Sequence, residues 1–218
     1  MRTMCRKQST FAIVSVGTVI FMSALASPIR SQVGKGLIDP NVASEGDLRA
    51  LPHMTPAIVK DMMAKRPFLT ILDLNTFLLG EMLTSDQARE FYRKAFVNIN
   101  LDTGTREEFV LVPGAGNRMA KEFAEYRPWK SWLQFDKEIG KYVGQQETDR
   151  FKQYMFIPIN LNSASDDVLL TIPGVNSAAM QALKKSRPWK TKDQFDRDVG
   201  IDLGPKESAR LWRYFVIQ

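Results

Sequence analysis

Cysteine and histidine are nearly missing from this chain, which carries one of each in 218 residues. They are Cys5 and His53. Without a second thiol no intramolecular disulfide can form, and metal sites built from cysteine and histidine are excluded by inventory. Cys-His and Ser-His-Asp arrangements have one histidine to draw on, and His53 is read as filling a turn rather than acting as a base. No glycine-rich nucleotide loop appears. The carboxylate pairs Glu107-Glu108 and Asp166-Asp167 fall at expected helix N-termini, where acidic residues complement the dipole. The chain is therefore expected to be non-enzymatic, with no cofactor, metal or small-molecule substrate.

A strong charge imbalance is missing as well, although the formal net charge of +6 suggests one. "MRTMCRK" is basic, and "STFAIVSVGTVIFMSALA" after it is uncharged and mostly apolar, ending in Ala24-Leu25-Ala26. These are the n-region, h-region and cleavage site of a secretory signal peptide, so residues 1–26 are expected to be removed after Ala26. The competing reading is a retained anchor, for which the apolar run is near the lower limit of about 20 residues. Losing Arg2, Arg6 and Lys7 from the 30 basic residues leaves 27 against 24 acidic ones, which is close to balance. The expected location is periplasmic or secreted. The only cysteine leaves with the leader, so the mature chain must hold together by packing alone.

What is present is a repeat. Pro52, Pro113 and Pro173 lie 61 and 60 residues apart, each in an apolar-polar turn: "LRALPHMTP", "VLVPGAGNR" and "LLTIPGVNS". Arg66, Arg127 and Arg187 each open an Arg-Pro-aromatic triplet, and Gly80, Gly140 and Gly200 follow. Asn41, Asp102 and Asn162 precede the turns, and "KAFVNIN", "YMFIPIN" and "RYFVIQ" close each copy. The expected organisation is a linker over 27–36 and repeats over 37–97, 98–157 and 158–218. The fold class is all-α, with about four short helices in each repeat and neighbouring repeats packed into an arc. Ser44, Thr105 and Ser165 are expected N-caps, with Asp47 and Glu108 completing capping boxes and Val168 breaking the third. Proline ends the second helix of each repeat after Arg66, Arg127 and Arg187. Phe68, Trp129 and Trp189 could be base-stacking platforms, but a recurring aromatic after a helix-breaking proline is better read as core.

"VNINLDTGTREEFVLVPGAGNRMAKEFAEYR" and "PINLNSASDDVLLTIPGVNSAAMQALKKSR" resemble the helix-hairpin-helix domains of ComEA-like proteins, exported receptors for duplex DNA. The chain is also similar to the small extrinsic lumenal subunit of cyanobacterial photosystem II, which uses the same double-hairpin fold to dock on a membrane complex. The resemblance implies either sequence-independent duplex DNA binding or a docking role in an extracytoplasmic, membrane-associated complex. Under the first, backbone amides of the Pro-Gly turn face a phosphate at a helix N-terminus. Gly114, Gly116 and Gly174 would then shape the turns, with Asn176 in place of a second glycine. Arg118, Lys121, Lys184 and Lys185 would add charge. The first repeat has His53 and Thr55 where glycines belong and is expected to have lost this function. By segment, residues 38–97 hold 7 basic and 8 acidic residues, residues 98–157 hold 9 and 9, and residues 158–218 hold 9 and 7. No copy carries the basic stripe usual in a duplex binder.

Overall fold

The computed structural model describes residues 32–217. The expected leader, its expected cleavage site and residues 27–31 of the expected linker lie outside the described residues. What is described is mostly helical, as the pattern predicts. The first segment folds as α1 (Glu45–Arg49), α2 (Pro56–Lys65), α3 (Ile71–Gly80) and α4 (Ser85–Tyr92). The second gives α5 (Arg106–Phe109), α6 (Gly116–Glu125) and α7 (Trp132–Lys152). Gly144 breaks α7 with φ 75° and ψ 169°, so α7 serves as two helices. The third gives α8 (Asp166–Leu169), α9 (Ser177–Lys185), α10 (Lys192–Leu203) and α11 (Pro205–Trp212).

The caps are where the side-chain chemistry puts them. The Ser44 hydroxyl accepts from the Asp47 amide at 3.1 Å, and the Asp47 carboxylate accepts from the Ser44 amide at 3.2 Å. Thr105 and Glu108 repeat the exchange at 3.2 and 2.8 Å. Ser165 caps the Val168 amide at 3.4 Å without a return bond, since valine has no acceptor to offer. The helices α2, α6 and α9 end next to the Arg-Pro steps, and all three of those peptide bonds are cis.

The recurring landmarks hold one another. The amides of Phe68, Trp129 and Trp189 each donate to the side-chain oxygen of Asn41, Asp102 or Asn162, at 2.7 Å in all three places. Arg66 donates to the Ala43 carbonyl at 2.8 Å, Arg127 to Leu101 at 2.7 Å and Arg187 to Ala164 at 3.0 Å. The three aromatic rings are buried, and both indole N–H groups reach backbone carbonyls at 2.8 Å, Trp129 at Phe123 and Trp189 at Leu183. A buried indole needs such a partner, and a ring with no exposed face cannot stack on a base.

Short parallel ladders are the feature the helical pattern does not announce. Strand β1 (Ile99–Asn100) pairs with β2 (Met155–Phe156), and β3 (Ile159–Asn160) pairs with β4 (Phe215–Val216). Ile38 bridges in parallel to Ala95 in the first segment. Each segment thus returns to its own starting strand, and its helices form the long crossover that parallel pairing demands. One hydrophobic cluster runs from Leu48 to Ile157 through the first two segments, and a second gathers the third segment with Val33 and Phe156. Ring pairs join neighbours: Phe96 meets Tyr154 at 5.0 Å and Phe156 meets Tyr214 at 4.8 Å between centroids.

The third segment also touches the first. The Tyr214 hydroxyl donates to the Asp39 carboxylate at 3.4 Å, linking the third segment to the first. Burial, reinforced by Asp39, pushes the Tyr214 phenol above its ordinary titration range, so it remains a donor. Arg213 donates to the Asn98 carbonyl at 2.5 Å in the same region.

The end of the expected linker is part of the body. The Gly34 amide donates to the Met155 carbonyl at 3.0 Å and the Ile157 amide to the Gln32 carbonyl at 2.9 Å, which places Val33 in the core. A Cβ on Gly34 would lie 1.9 Å from the Lys152 carbonyl oxygen, a backbone atom that cannot step aside. Gly34→Val should therefore lift this segment and expose Val33, costing about 2–3 kcal/mol. The check is a thermal melt together with hydrogen exchange at the Ile157 amide, which should lose protection.

Candidate functional site

Three turns occupy the place that the resemblance assigns to phosphate. In the second segment α5 ends at Phe109, and the chain passes through Pro113 and Gly114 into α6. Gly114 and Gly116 take φ of 81° and 60°, which is glycine territory. In the third, Gly174 has φ 77° and leads to Asn176 at the start of α9. In the first, His53 itself adopts φ 63°, and its Nε2 lies 2.6 Å from the Glu90 carboxylate. His53 is thus engaged within the turn.

An arginine beneath two of the turns was not singled out from the sequence. Arg150 donates to the Pro113 carbonyl at 2.5 Å and is gripped by Glu147 at 2.5 and 2.7 Å. Arg210 donates to the Pro173 carbonyl at 2.7 Å and is gripped by Glu207 at 2.6 and 2.7 Å. The separation from turn proline to arginine is 37 residues in both, and Arg89 stands at the same distance from Pro52. Arg89 turns instead to Asp86 at 2.6 Å, on the surface. A glutamate three residues before an arginine on the fourth helix was the available signal. The Arg150 hydrogen bond holds the Glu147 carboxyl below the ordinary range, keeping the clamp ionic at neutral pH. The clamp also gives a reason for glycine: a Cβ on Gly114 would lie 2.7 Å from Arg150 Nη2.

The residues predicted for phosphate separate into two groups. Gly114, Gly116, Arg118 and Lys121 come together on one exposed surface at the start of α6. Arg106 joins them, donating to the Asn117 side-chain oxygen at 3.2 Å. The Arg118 guanidinium lies 5.4 Å from the Tyr142 ring centroid, and Lys121 is 3.8 Å from Glu125. No side chain caps α6, whereas Thr55 caps α2 at 3.3 Å and Asn176 caps α9 at 3.0 Å. Where the second segment has Arg106, the others have Glu45 and Asp166; where it has Arg118, they have Ala57 and Ala178.

Gly174, Asn176, Lys184 and Lys185 do not converge in this way. A Cβ on Gly174 would lie 2.6 Å from a Val42 methyl, so that side of the turn rests on the first segment. The Asn176 side chain is spent capping its own helix. Lys184 and Lys185 sit at the far end of α9, about 12 Å along the axis from the cap at 1.5 Å per residue. Lys184 is paired with Asp166 at 2.7 Å and Lys185 with Asp202 at 3.1 Å. In the run "KKSRPWKTK" Lys192 is likewise paired, with Asp196, and Arg187 is turned inward onto the Ala164 carbonyl.

No family model, curated protein or solved structure matches this chain. Its function is accordingly argued from the geometry. Among the described residues no group of histidine, cysteine and carboxylate side chains could hold a metal ion, and no helix is long and apolar enough to cross a membrane.

Proposed function

We propose that this chain is an exported, non-catalytic protein of three tandem helix-hairpin-helix units, ComEA-like in kind, that holds duplex DNA by its phosphate backbone at the turn of the second unit. The leader is removed after Ala26 and the mature protein works outside the cytoplasm. One observation carries the reading. Only the second turn combines an uncapped helix N-terminus with exposed cations, namely Arg106, Arg118 and Lys121 around Gly114 and Gly116. Backbone N–H groups and the helix dipole favour an anion there, and arginine adds directed charge. Such contacts position a backbone and read no bases.

A single grip of this kind makes a weak binder with a shallow salt response. Fluorescence anisotropy of a labelled duplex against the full chain should give dissociation constants of roughly 10⁻⁵–10⁻⁴ M at low salt. With about two or three phosphates neutralised, the slope of log K against log salt should be about −2 to −3. Arg118→Glu and Arg106→Glu should each flatten the slope by about one and weaken binding about tenfold. Lys184→Glu with Lys185→Glu should change affinity less than about twofold, because those ammoniums already have carboxylate partners at the other end of their helix. Absence of binding at low salt would overturn the reading.

A second reading, a docking subunit of an extracytoplasmic, membrane-associated complex, is favoured by the third turn. Val42 and the Asn176 cap use that turn within the molecule, which leaves it little to offer a phosphate. Failure of every duplex tested would select this alternative.

A further inference from the structure

The ends of the second and third helices face each other in every segment, and the three segments treat the gap differently. In the second, Tyr126 and Tyr142 span it with their hydroxyls 2.8 Å apart. Lys141 lies over the Tyr126 ring at 4.5 Å, anchored by Glu138 at 2.8 Å. In the third, the gap is spanned by the Lys185–Asp202 ion pair. In the first, no side-chain hydrogen bond or ion pair spans it among the described residues. Lys65 stands where Tyr126 does, just before the Arg-Pro step, and Glu81 and Met82 follow Gly80 where Lys141 and Tyr142 follow Gly140. The result is a groove of about 900 Å³ between α2 and α3.

The groove has a defined chemistry. Pro67, Leu69 and Phe77 give it apolar surface, and Leu69 is exposed. Asp61, Asp73 and Glu81 line it against the single cation Lys65. None of these four charges is in an ion pair within the described residues; Asp73 accepts hydrogen bonds from the Leu69 and Thr70 amides. Met82, next in the chain after Glu81, is 88% exposed. An apolar floor under a net negative rim suits an aromatic ring accompanied by a cation, the combination that Tyr126, Tyr142 and Lys141 supply internally in the second segment.

We propose that this groove docks a segment of a partner protein carrying an aromatic side chain flanked by lysine or arginine. The docking site is separate from the second turn, so it stands whether or not that turn holds phosphate. A protein with both surfaces could bring such a partner to a nucleic acid.

The test is a ¹H–¹⁵N correlation titration of the full chain with two peptides, Ac-Lys-Ala-Tyr-Ala-Lys-NH₂ and Ac-Glu-Ala-Tyr-Ala-Glu-NH₂. The basic peptide should shift the amides of Leu69, Thr76, Gly80 and Glu81, and bind at least about tenfold more tightly than the acidic one. Asp61→Lys with Glu81→Lys should remove that preference. Gly80→Tyr should abolish the response, because Gly80 lines the groove and a Cβ there meets nothing within 4 Å, which leaves room for a side chain. Unchanged shifts elsewhere in the spectrum verify that the variant is folded. Equal response to both peptides, shifts centred on the second segment, or no response at millimolar peptide would overturn the proposal. So would movement of the same amides on raising protein concentration or on deleting residues 1–31, since the occupant would then be a second copy or the chain's own N-terminus.

Discussion

Replacing Arg210 by alanine should cost about 3 kcal/mol and lower the melting temperature by roughly 6–12 °C for a chain of this length. The arginine is 2% exposed and makes three directed bonds, one to the Pro173 carbonyl and two to Glu207. Burial by itself would push its pKa down, but the Glu207 bond and charge more than reverse that, so the guanidinium remains charged. Truncation would leave Glu207 without its partner and the turn carbonyl without its donor. Lysine should not rescue it, since one ammonium cannot reproduce a planar fork. The other two positions calibrate the effect. Arg150→Ala should fall between, because that side chain is 31% exposed. Arg89→Ala should stay within about 0.5 kcal/mol, because its pair with Asp86 is on the surface. Calorimetric melts of the three variants at neutral pH decide the matter; an Arg210→Ala melt equal to the parent's would remove the clamp as a stabilising device.

Trp189→Ala should cost about 4 kcal/mol and should act first on the third segment. The indole is buried against Phe195, with 5.3 Å between centroids, and its N–H is bonded to Leu183. The third segment's hydrophobic cluster is the smaller of the two, so the void is a larger share of it. Hydrogen exchange should show amides from 159 to 216 losing protection before those of the first two segments. Trp189→Phe, which retains a ring but loses the bond to Leu183, should cost about 1–2 kcal/mol. Uniform loss of protection along the chain would show that the third segment has no separate stability.

Local chemistry was legible in the sequence, and distant pairing was not. Ser44, Thr105 and Ser165 cap as their spacing from Asp47, Glu108 and Val168 predicts, because a cap is decided within four residues. The helices α2, α6 and α9 stop next to Arg-Pro for an equally local reason. The burial of Phe68, Trp129 and Trp189 was readable from recurrence at a helix-breaking proline. The parallel ladders were not, since Ile99 and Met155 meet over two residues only, too short to leave a period in the sequence. At the candidate site, Gly114, Gly116, Arg118 and Lys121 fall within eight consecutive residues, so their grouping followed from spacing. Arg106 and Arg150 reach the same turn from α5 and α7, which only the packing reveals. Lys184 and Lys185 look close to their turn in the sequence, yet the rise of α9 carries them to its opposite end.

The pairing of residues 32–34 sets an order of events during synthesis. Its partners are Met155 and Ile157, so no part of that pairing can exist until about two-thirds of the chain has been made. The first segment can close earlier, when Ala95 and Phe96 reach Ile38. A chain made from its N-terminus therefore completes its first fold while Gln32 and Gly34 still wait for Ile157 and Met155. That interval leaves Val33 outside the core until the second segment arrives.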